Sequence, residues 1–95
     1  MRVIGLPLLV KFYTKHPVSK GWLDNWIADA RAAQWSKPQD IKNRYSSASF
    51  LPQNIVIFNV CGNKYRLEVT IAYQVKTVVI GWIGTHADYS RRGKP

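Results

Sequence analysis

Residues 64–73, KYRLEVTIAY, alternate between polar and apolar side chains. The apolar positions are Tyr65, Leu67, Val69, Ile71 and Tyr73, and the polar positions are Lys64, Arg66, Glu68 and Thr70. Alternation with a period of two over this length predicts a β-strand with one buried face and one open face. We therefore expect the apolar face to meet the rest of the core. The face that carries Arg66 and Glu68 should line an open groove.

Further strands are predicted on both sides of this segment. Residues 55–60 are rich in β-branched side chains, and residues 61–64 predict a hairpin turn in which Gly62 and Asn63 tolerate a positive φ. Residues 74–77 predict a second turn and residues 78–83 a last strand. Residues 2–4 read as a short strand at the start of the chain. The second half of the chain therefore predicts three consecutive antiparallel strands.

The first half of the chain predicts helices. Residues 8–15 form the first, which His16 and Pro17 end, and Ser19 is a candidate N-cap for the second. The apolar residues of the second recur at helical spacing and include Trp22, Leu23, Trp26, Ile27, Ala30 and Ala33. Such a stripe is far more often core than a stacking platform for bases, and we take the core interpretation for both tryptophans.

A third helix is predicted over residues 38–44, where Ser36 and Gln39 fit a capping box and residues 45–49 form a polar connector. The order of elements predicts an α+β fold, a curved and mainly antiparallel sheet with two to three N-terminal helices packed on one face. The length of 95 residues predicts one domain over residues 1–95, with residues 91–95 as a flexible basic tail.

The net charge of +9, from 14 basic against 5 acidic residues, predicts a polyanionic partner. The basic residues are spread over several elements and form no amphipathic membrane helix, which favours nucleic acid over a membrane. Cys61 is the one cysteine, so an internal disulfide and a multi-cysteine zinc site are excluded. No signal peptide or transmembrane span is predicted, and we expect a cytoplasmic protein.

Four side chains in two short segments are candidates for chemistry on a phosphate. Arg66 can bind phosphate through its planar fork, although pairing with Glu68 or a cross-strand partner is an equal alternative. Lys64 borders the turn, and it too can either bind phosphate or be an ordinary paired surface residue. His86 supplies an imidazole, a group that commonly donates or accepts protons in catalysis, although a lone histidine is more often a polar loop residue. Tyr89 can donate to or stack on a nucleotide, or it can be a packing residue.

Cleavage of RNA without a metal uses the 2′-hydroxyl as the nucleophile on the neighbouring phosphate. It needs a base for the hydroxyl proton, cations for the developing negative charge, and an acid for the leaving 5′-oxygen. Lys64, Arg66, His86 and Tyr89 together can fill these roles. The sequence contains no Gly-rich phosphate loop, no HExxH and no paired-carboxylate motif, so neither a metal nor another cofactor is expected. Asp88 is expected to cap a helix or to stay solvated.

At these residues the chain resembles the HigB family of toxins from type II toxin–antitoxin systems, within the wider RelE-like group. The resemblance rests on residues 1–4 (MRVI), 38–42 (PQDIK), 58–67 (FNVCGNKYRL) and 84–89 (GTHADY). It implies a small α+β toxin that cleaves mRNA, with a translating ribosome as the usual setting and the A site as the expected place. It also implies a cognate helix-turn-helix antitoxin similar to HigA as the partner.

The resemblance also implies site residues. Asn63, Lys64, Tyr65 and Arg66 fall on the first family motif, and His86 and Tyr89 fall on the second. We predict Lys64, Arg66, His86 and Tyr89 as catalytic, and we predict RNA contacts from Asn63, Tyr65, Lys42, Arg91 and Arg92. The family usually has an acidic residue directly after the tyrosine, where this chain has Ser90.

Two other functions fit the same residues. A non-catalytic module that binds RNA or the ribosome would use the same charge and aromatic side chains, and its binding would depend steeply on salt. An inactive relative of the family would use the basic face only to dock an acidic segment of an antitoxin.

Overall fold

The structure is a computed structural model and describes residues 1–92 of the chain. The elements in chain order are β1 (Arg2–Ile4), α1 (Leu6–Lys15), a 3₁₀ turn (Pro17–Ser19), α2 (Lys20–Ala32), α3 (Pro38–Arg44), β2 (Ser49–Leu51), β3 (Ile55–Val60), β4 (Tyr65–Ala72), β5 (Thr77–Thr85) and α4 (His86–Arg91). The predicted α+β class is confirmed.

The five strands form one mixed sheet in the order β1-β5-β4-β3-β2. Strands β2 to β5 are antiparallel to their neighbours, and β1 runs parallel to β5. The sheet is therefore mainly antiparallel, as predicted. Strand β4, which carries the alternating segment, lies in the centre and is hydrogen-bonded on both sides.

The buried face of β4 is the face that the alternation predicts. Leu67, Val69 and Ile71 are fully buried, whereas Arg66 and Glu68 on the other face are only half-buried. The buried side chains form one cluster with residues of the first three helices, which include Leu9, Leu23, Trp26, Ala30 and Ile41. Trp26 is thus a core residue, in agreement with the interpretation from its spacing.

Strand β5 contains a bulge at Gly81. Glu68 pairs with Trp82 and its neighbour Val69 pairs with Ile80, so Gly81 is the extra residue on β5. The bulge reverses the alternation of β5. Ile80 faces the core, and two residues later Trp82 lies on the open face of the sheet instead of beneath it.

The N-terminus of α2 differs from the prediction. Ser19 belongs to the 3₁₀ turn and has helical backbone angles, and its side chain caps nothing. Its Oγ donates back to the carbonyl oxygen of His16 at 2.7 Å. Ser19 is the N-cap residue of α2, as predicted, but it is also the last residue of the turn that Pro17 begins, so its backbone is already helical and its side chain makes no cap.

The capping box predicted for α3 is also wrong, although the helix has the predicted bounds. Lys37 is the N-cap residue, and Gln39 takes no part in the cap. The carboxylate of Asp40 instead accepts from Ser36, from its backbone N–H at 2.9 Å and its Oγ at 3.1 Å. The backbone N–H of Ser36 is the main reason that the pKa of Asp40 lies below its usual value.

The predicted connector over residues 45–49 is more structured than expected. Ser49 begins β2, whose three residues pair with β3 and are too short to show a periodic pattern. Tyr45 is half-buried, and its hydroxyl donates to Asp29 on α2 at 2.6 Å. Burial, followed by this hydrogen bond, raises the pKa of Tyr45 above its ordinary value.

Two residues of the predicted basic tail have a defined structure. Arg91 is the last residue of α4, and the backbone N–H of Arg92 donates to Tyr89 O at 3.2 Å. Both residues are therefore part of the folded chain, and the remaining three residues of the predicted tail lie outside the described residues. Within residues 1–92, no helix is both long enough and apolar enough to span a membrane.

Candidate active site

Arg66 lies on the central strand, on the open face of the sheet. Its cross-strand neighbours are Asn59 on β3 and Gly84 on β5. The guanidinium lies over the ring of Tyr89, with its carbon 4.9 Å from the ring centroid. Arg66 Nε is buried and has no hydrogen-bond acceptor within residues 1–92. Packing therefore fixes the guanidinium and leaves part of its hydrogen-bonding capacity unused.

None of the five carboxylate side chains of the chain pairs with Arg66 or Lys64. Glu68, the nearest along the strand, accepts instead from Arg92 at 3.0 Å. The other four carboxylates also have partners. Asp24 binds Lys20, Asp29 binds Arg44 and Tyr45, Asp40 binds Ser36, and Asp88 binds Arg91. This arrangement excludes the ion pair between Arg66 and Glu68 that the sequence left open.

Trp82 is the site residue that sequence reasoning missed. Its indole lies against Gly84, where an added Cβ would come within 2.5 Å of Cζ2 and 2.6 Å of Cη2. The guanidinium carbon of Arg92 lies 4.4 Å from its ring centroid, and the ring of Tyr89 lies 5.9 Å away. The available signal was Gly81, because an isolated glycine inside a strand pattern indicates a bulge.

Helix α4 brings the second motif to the end of β4. Thr85 is its N-cap, and the Oγ1 accepts from the backbone N–H of Asp88 at 3.0 Å. The backbone N–H of His86 donates to the carbonyl oxygen of Lys64 at 3.0 Å. This bond joins the hairpin turn to the start of the helix, and the side chains of Lys64 and His86 are both exposed there.

Asp88 has the capping environment predicted for it. Its carboxylate accepts from Arg91 at 2.6 Å, and this hydrogen bond, with that of Thr85, lowers the pKa of Asp88. Ser90, at the position where the family usually has an acid, donates its Oγ to His86 O at 3.1 Å. Neither side chain is free to replace the missing acidic residue.

Tyr65 lies on the opposite face of the sheet from Arg66. It is 9% exposed and packs in the core against the rings of Phe12, 5.2 Å away, and His16, 5.4 Å away. Stacking on a base requires an accessible ring face, so the prediction that Tyr65 contacts RNA is wrong. Its burial follows from the same alternation that exposes Arg66.

The other predicted RNA contacts occupy different places. Asn63 is exposed in the hairpin turn beside Lys64. Lys42 lies on α3, where its Nζ donates to Ala48 O at 3.0 Å, close to the β2 edge of the sheet and away from β5. The structure therefore brings Asn63 to the site and does not bring Lys42 there.

The two arginines of α4 differ in environment. Arg91 is exposed and pairs with Asp88 in its own helix. Arg92 turns toward the sheet, where its side chain is 25% exposed and is bound to Glu68, itself 16% exposed. The carboxylate of Glu68 thus engages the guanidinium of Arg92, and the RNA contact predicted for Arg92 stays a prediction.

Taken together, the open face combines an unneutralised guanidinium, an ammonium group, an imidazole and a phenol at one end of β4 and β5. Cations of this kind bind phosphate oxygens, and an imidazole can transfer protons near neutral pH. Within residues 1–92, no group of three or more His, Cys, Asp or Glu side chains is arranged to hold a metal ion.

The sequence model of the HigB toxin family, described as the RelE-like toxic component of a toxin–antitoxin system, matches residues 19–92. The chain belongs to the HigB toxin family. The match covers α2 to α4 and includes both motifs of the candidate site. No curated protein matches the sequence. As a toxin of this family, the chain has an antitoxin as its implied partner.

Proposed function

We propose that this HigB family toxin is an mRNA interferase, an endoribonuclease that cleaves mRNA, with the translating ribosome as the setting and its A site as the place. The observation that carries the proposal is Arg66, whose guanidinium is rigidly held on an open face and has no carboxylate partner within residues 1–92. A cation without a counter-ion at such a place is suited to a phosphate.

The reaction begins with attack of the 2′-oxygen on the adjacent phosphorus. A new P–O bond forms, the bond to the 5′-oxygen breaks, and the products carry a 2′,3′-cyclic phosphate and a 5′-hydroxyl. The proton of the 2′-hydroxyl goes to a base, and an acid supplies a proton to the leaving oxygen. Every atom comes from the RNA, and no oxidant or additional reactant is needed.

The roles follow from position and chemistry. Arg66 and Lys64 stabilise the negative charge that develops on the phosphate oxygens. His86 transfers a proton as base or acid, and a hydrogen bond from its backbone N–H to Lys64 O joins the two residues. Tyr89 orients Arg66 through its ring face, and Asn63 contacts the RNA from the turn. The helix-turn-helix antitoxin, similar to HigA, would neutralise this activity in the cytoplasm.

The decisive experiment is the mapping of 5′-ends of cellular mRNA after brief induction of the wild-type toxin and of Arg66→Ala. Arg31→Ala is the matched control, because Arg31 is an exposed arginine on α2. We expect new ends within translated frames for the wild type and the control, and none for Arg66→Ala. A soluble, folded wild-type toxin that produces no new ends would contradict cleavage and favour a binding module.

Dependence on the ribosome needs a separate experiment with purified components. The toxin would be incubated with one mRNA, either free or in a stalled translation complex. We expect cleavage only in the complex, with a 2′,3′-cyclic phosphate on the upstream fragment. Equal cleavage of free mRNA would overturn the ribosome requirement and leave the nuclease assignment intact.

A further inference from the structure

We propose that Glu68 and Arg92 are positioning residues whose ion pair, seated on Trp82, docks α4 on the sheet and holds Tyr89 over Arg66. The inference rests on the proposed function, since it concerns how that site is kept in order. It assigns a purpose to three side chains that the two sequence motifs do not contain.

Helix α4 needs an external anchor. It has six residues and none of them is buried, so it cannot depend on an apolar face for its orientation. A helix of this length is not stable by itself. Its side-chain contacts with β4 and β5 must therefore fix where Tyr89 lies.

Arg92 makes contacts that can provide the anchor. Its Nη1 donates to Glu68 Oε1 at 3.0 Å, and its guanidinium carbon lies 4.4 Å from the Trp82 ring centroid and 5.8 Å from that of Tyr89. The pair is shielded, with side chains 25% and 16% exposed. A shielded pair that also stacks on an indole is held more firmly than an exposed pair.

Glu68 also determines which arginine is free. Arg66 and Arg92 both lie against the ring of Tyr89, at 4.9 Å and 5.8 Å. Glu68 binds Arg92 and leaves Arg66 without a carboxylate. Without this carboxylate, both guanidinium groups would compete for the same phosphate, and the helix would lose its link to the sheet.

The neighbouring pair in α4 provides a matched control. Arg91 and Asp88 are 74% and 51% exposed and belong to the same helix, so their ion pair cannot connect α4 to the sheet. Arg91→Gln and Arg92→Gln each remove one positive charge, at neighbouring positions of the chain. Any difference between the two variants in amide hydrogen exchange without RNA therefore reports the docking contact and not the net charge.

The test compares cleavage by Arg92→Gln, Glu68→Gln and the control Arg31→Gln, an exposed arginine on α2, under single-turnover conditions on a stalled translation complex. Since misplacement of a catalytic group by about 1 Å can cost about 100-fold, we expect the first two variants to lose about 10- to 100-fold in the cleavage rate constant. The substrate concentration at half-saturation should stay nearly constant. Arg31→Gln should cleave like the wild type, and Arg92→Lys should recover part of the loss.

A double-mutant cycle with Tyr89→Ala separates positioning from direct contact. If Arg92 acts through Tyr89, the losses of Arg92→Gln and Tyr89→Ala will not add in the double variant. Additive losses, together with weaker substrate binding and a smaller salt dependence for Arg92→Gln, would show that Arg92 binds RNA directly and would overturn the inference.

A measurement without RNA keeps the inference separate from the proposed function. Amide hydrogen exchange should be faster over residues 86–92 in Arg92→Gln and Glu68→Gln than in Arg91→Gln, with β4 unchanged. If the wild type cleaves nothing, the proposed function fails, but this exchange difference still tests the docking contact. Equal exchange in all three variants would refute it.

Discussion

Gly84→Ala tests whether the open face depends on the position of the Trp82 ring. The new methyl carbon would lie 2.5 Å from Trp82 Cζ2 and 2.6 Å from Cη2. Carbon atoms in contact are normally about 3.5–4.0 Å apart, so the indole must withdraw by about 1 Å. Arg92 rests on this indole at 4.4 Å, and the displacement is transmitted to α4.

The magnitude follows from these contacts. Overpacking costs about 1–3 kcal/mol, and the half-buried ring can move toward solvent, so we expect a loss of about 1–2 kcal/mol in the free energy of unfolding. We expect cleavage to fall about 10- to 100-fold, because a 1 Å shift is sufficient to misplace a catalytic group.

Gly81→Ala is the matched control in the same strand. Its added Cβ would meet Glu68 O at 3.6 Å, an ordinary contact distance. Stability should stay the same or rise by up to about 1 kcal/mol, because alanine restricts the unfolded chain. The assays are urea denaturation with linear extrapolation and single-turnover cleavage. Equal results for the two variants would refute the argument that Gly84 makes room for Trp82.

Three further predictions concern the remainder of the fold. Tyr45→Phe removes the hydrogen bond to Asp29 and should cost about 1 kcal/mol. Because folding raises the pKa of Tyr45, its hydroxyl stays protonated in the folded state at a pH where the unfolded chain ionises. The free energy of unfolding of the wild type should therefore fall above about pH 10 in denaturation curves. Tyr45→Phe should lack this part of the loss. Trp26→Ala should lower the free energy of unfolding by about 3–5 kcal/mol in urea denaturation. Trp26→Phe should lower it by clearly less, because the buried indole N–H has no acceptor within residues 1–92 and its removal breaks no hydrogen bond. Gly5→Ala should lower the thermal midpoint and cost about 1–3 kcal/mol, since Gly5 has a φ of 101° and its Cβ would lie 3.1 Å from Ile80.

The parts of the fold that sequence could predict are those with a strong local signal. Strand β3 has the predicted bounds because its β-branched residues mark it, and β4 shows its faces through alternation. Helix α3 also has its predicted bounds. Strand β2 was missed because three residues are too few for a period, and its existence depends on pairing with β3.

The sequence could predict only those parts of the site that follow from the polar and apolar alternation of β4. The open face of Arg66 follows directly from the period of β4. The positions of Trp82 and Arg92 depend on a bulge and on the direction in which α4 turns, and both are tertiary features. Tyr65 was misassigned because a motif places neighbouring residues together, whereas a strand sends them to opposite faces.

The bulge at Gly81 bends β5 without deciding which face its neighbouring side chains occupy. Deletion of this one residue would make Ile80 and Trp82 consecutive in a regular ladder, so Trp82 would stay on the open face and Ile83 on the core face, and only the bend at the bulge would be lost. Substitution of the same glycine by alanine would leave both side chains where they are. The indole should therefore keep its side of the sheet in both variants, and a loss of cleavage in the deletion variant alone would show that the bend of β5 matters to the site.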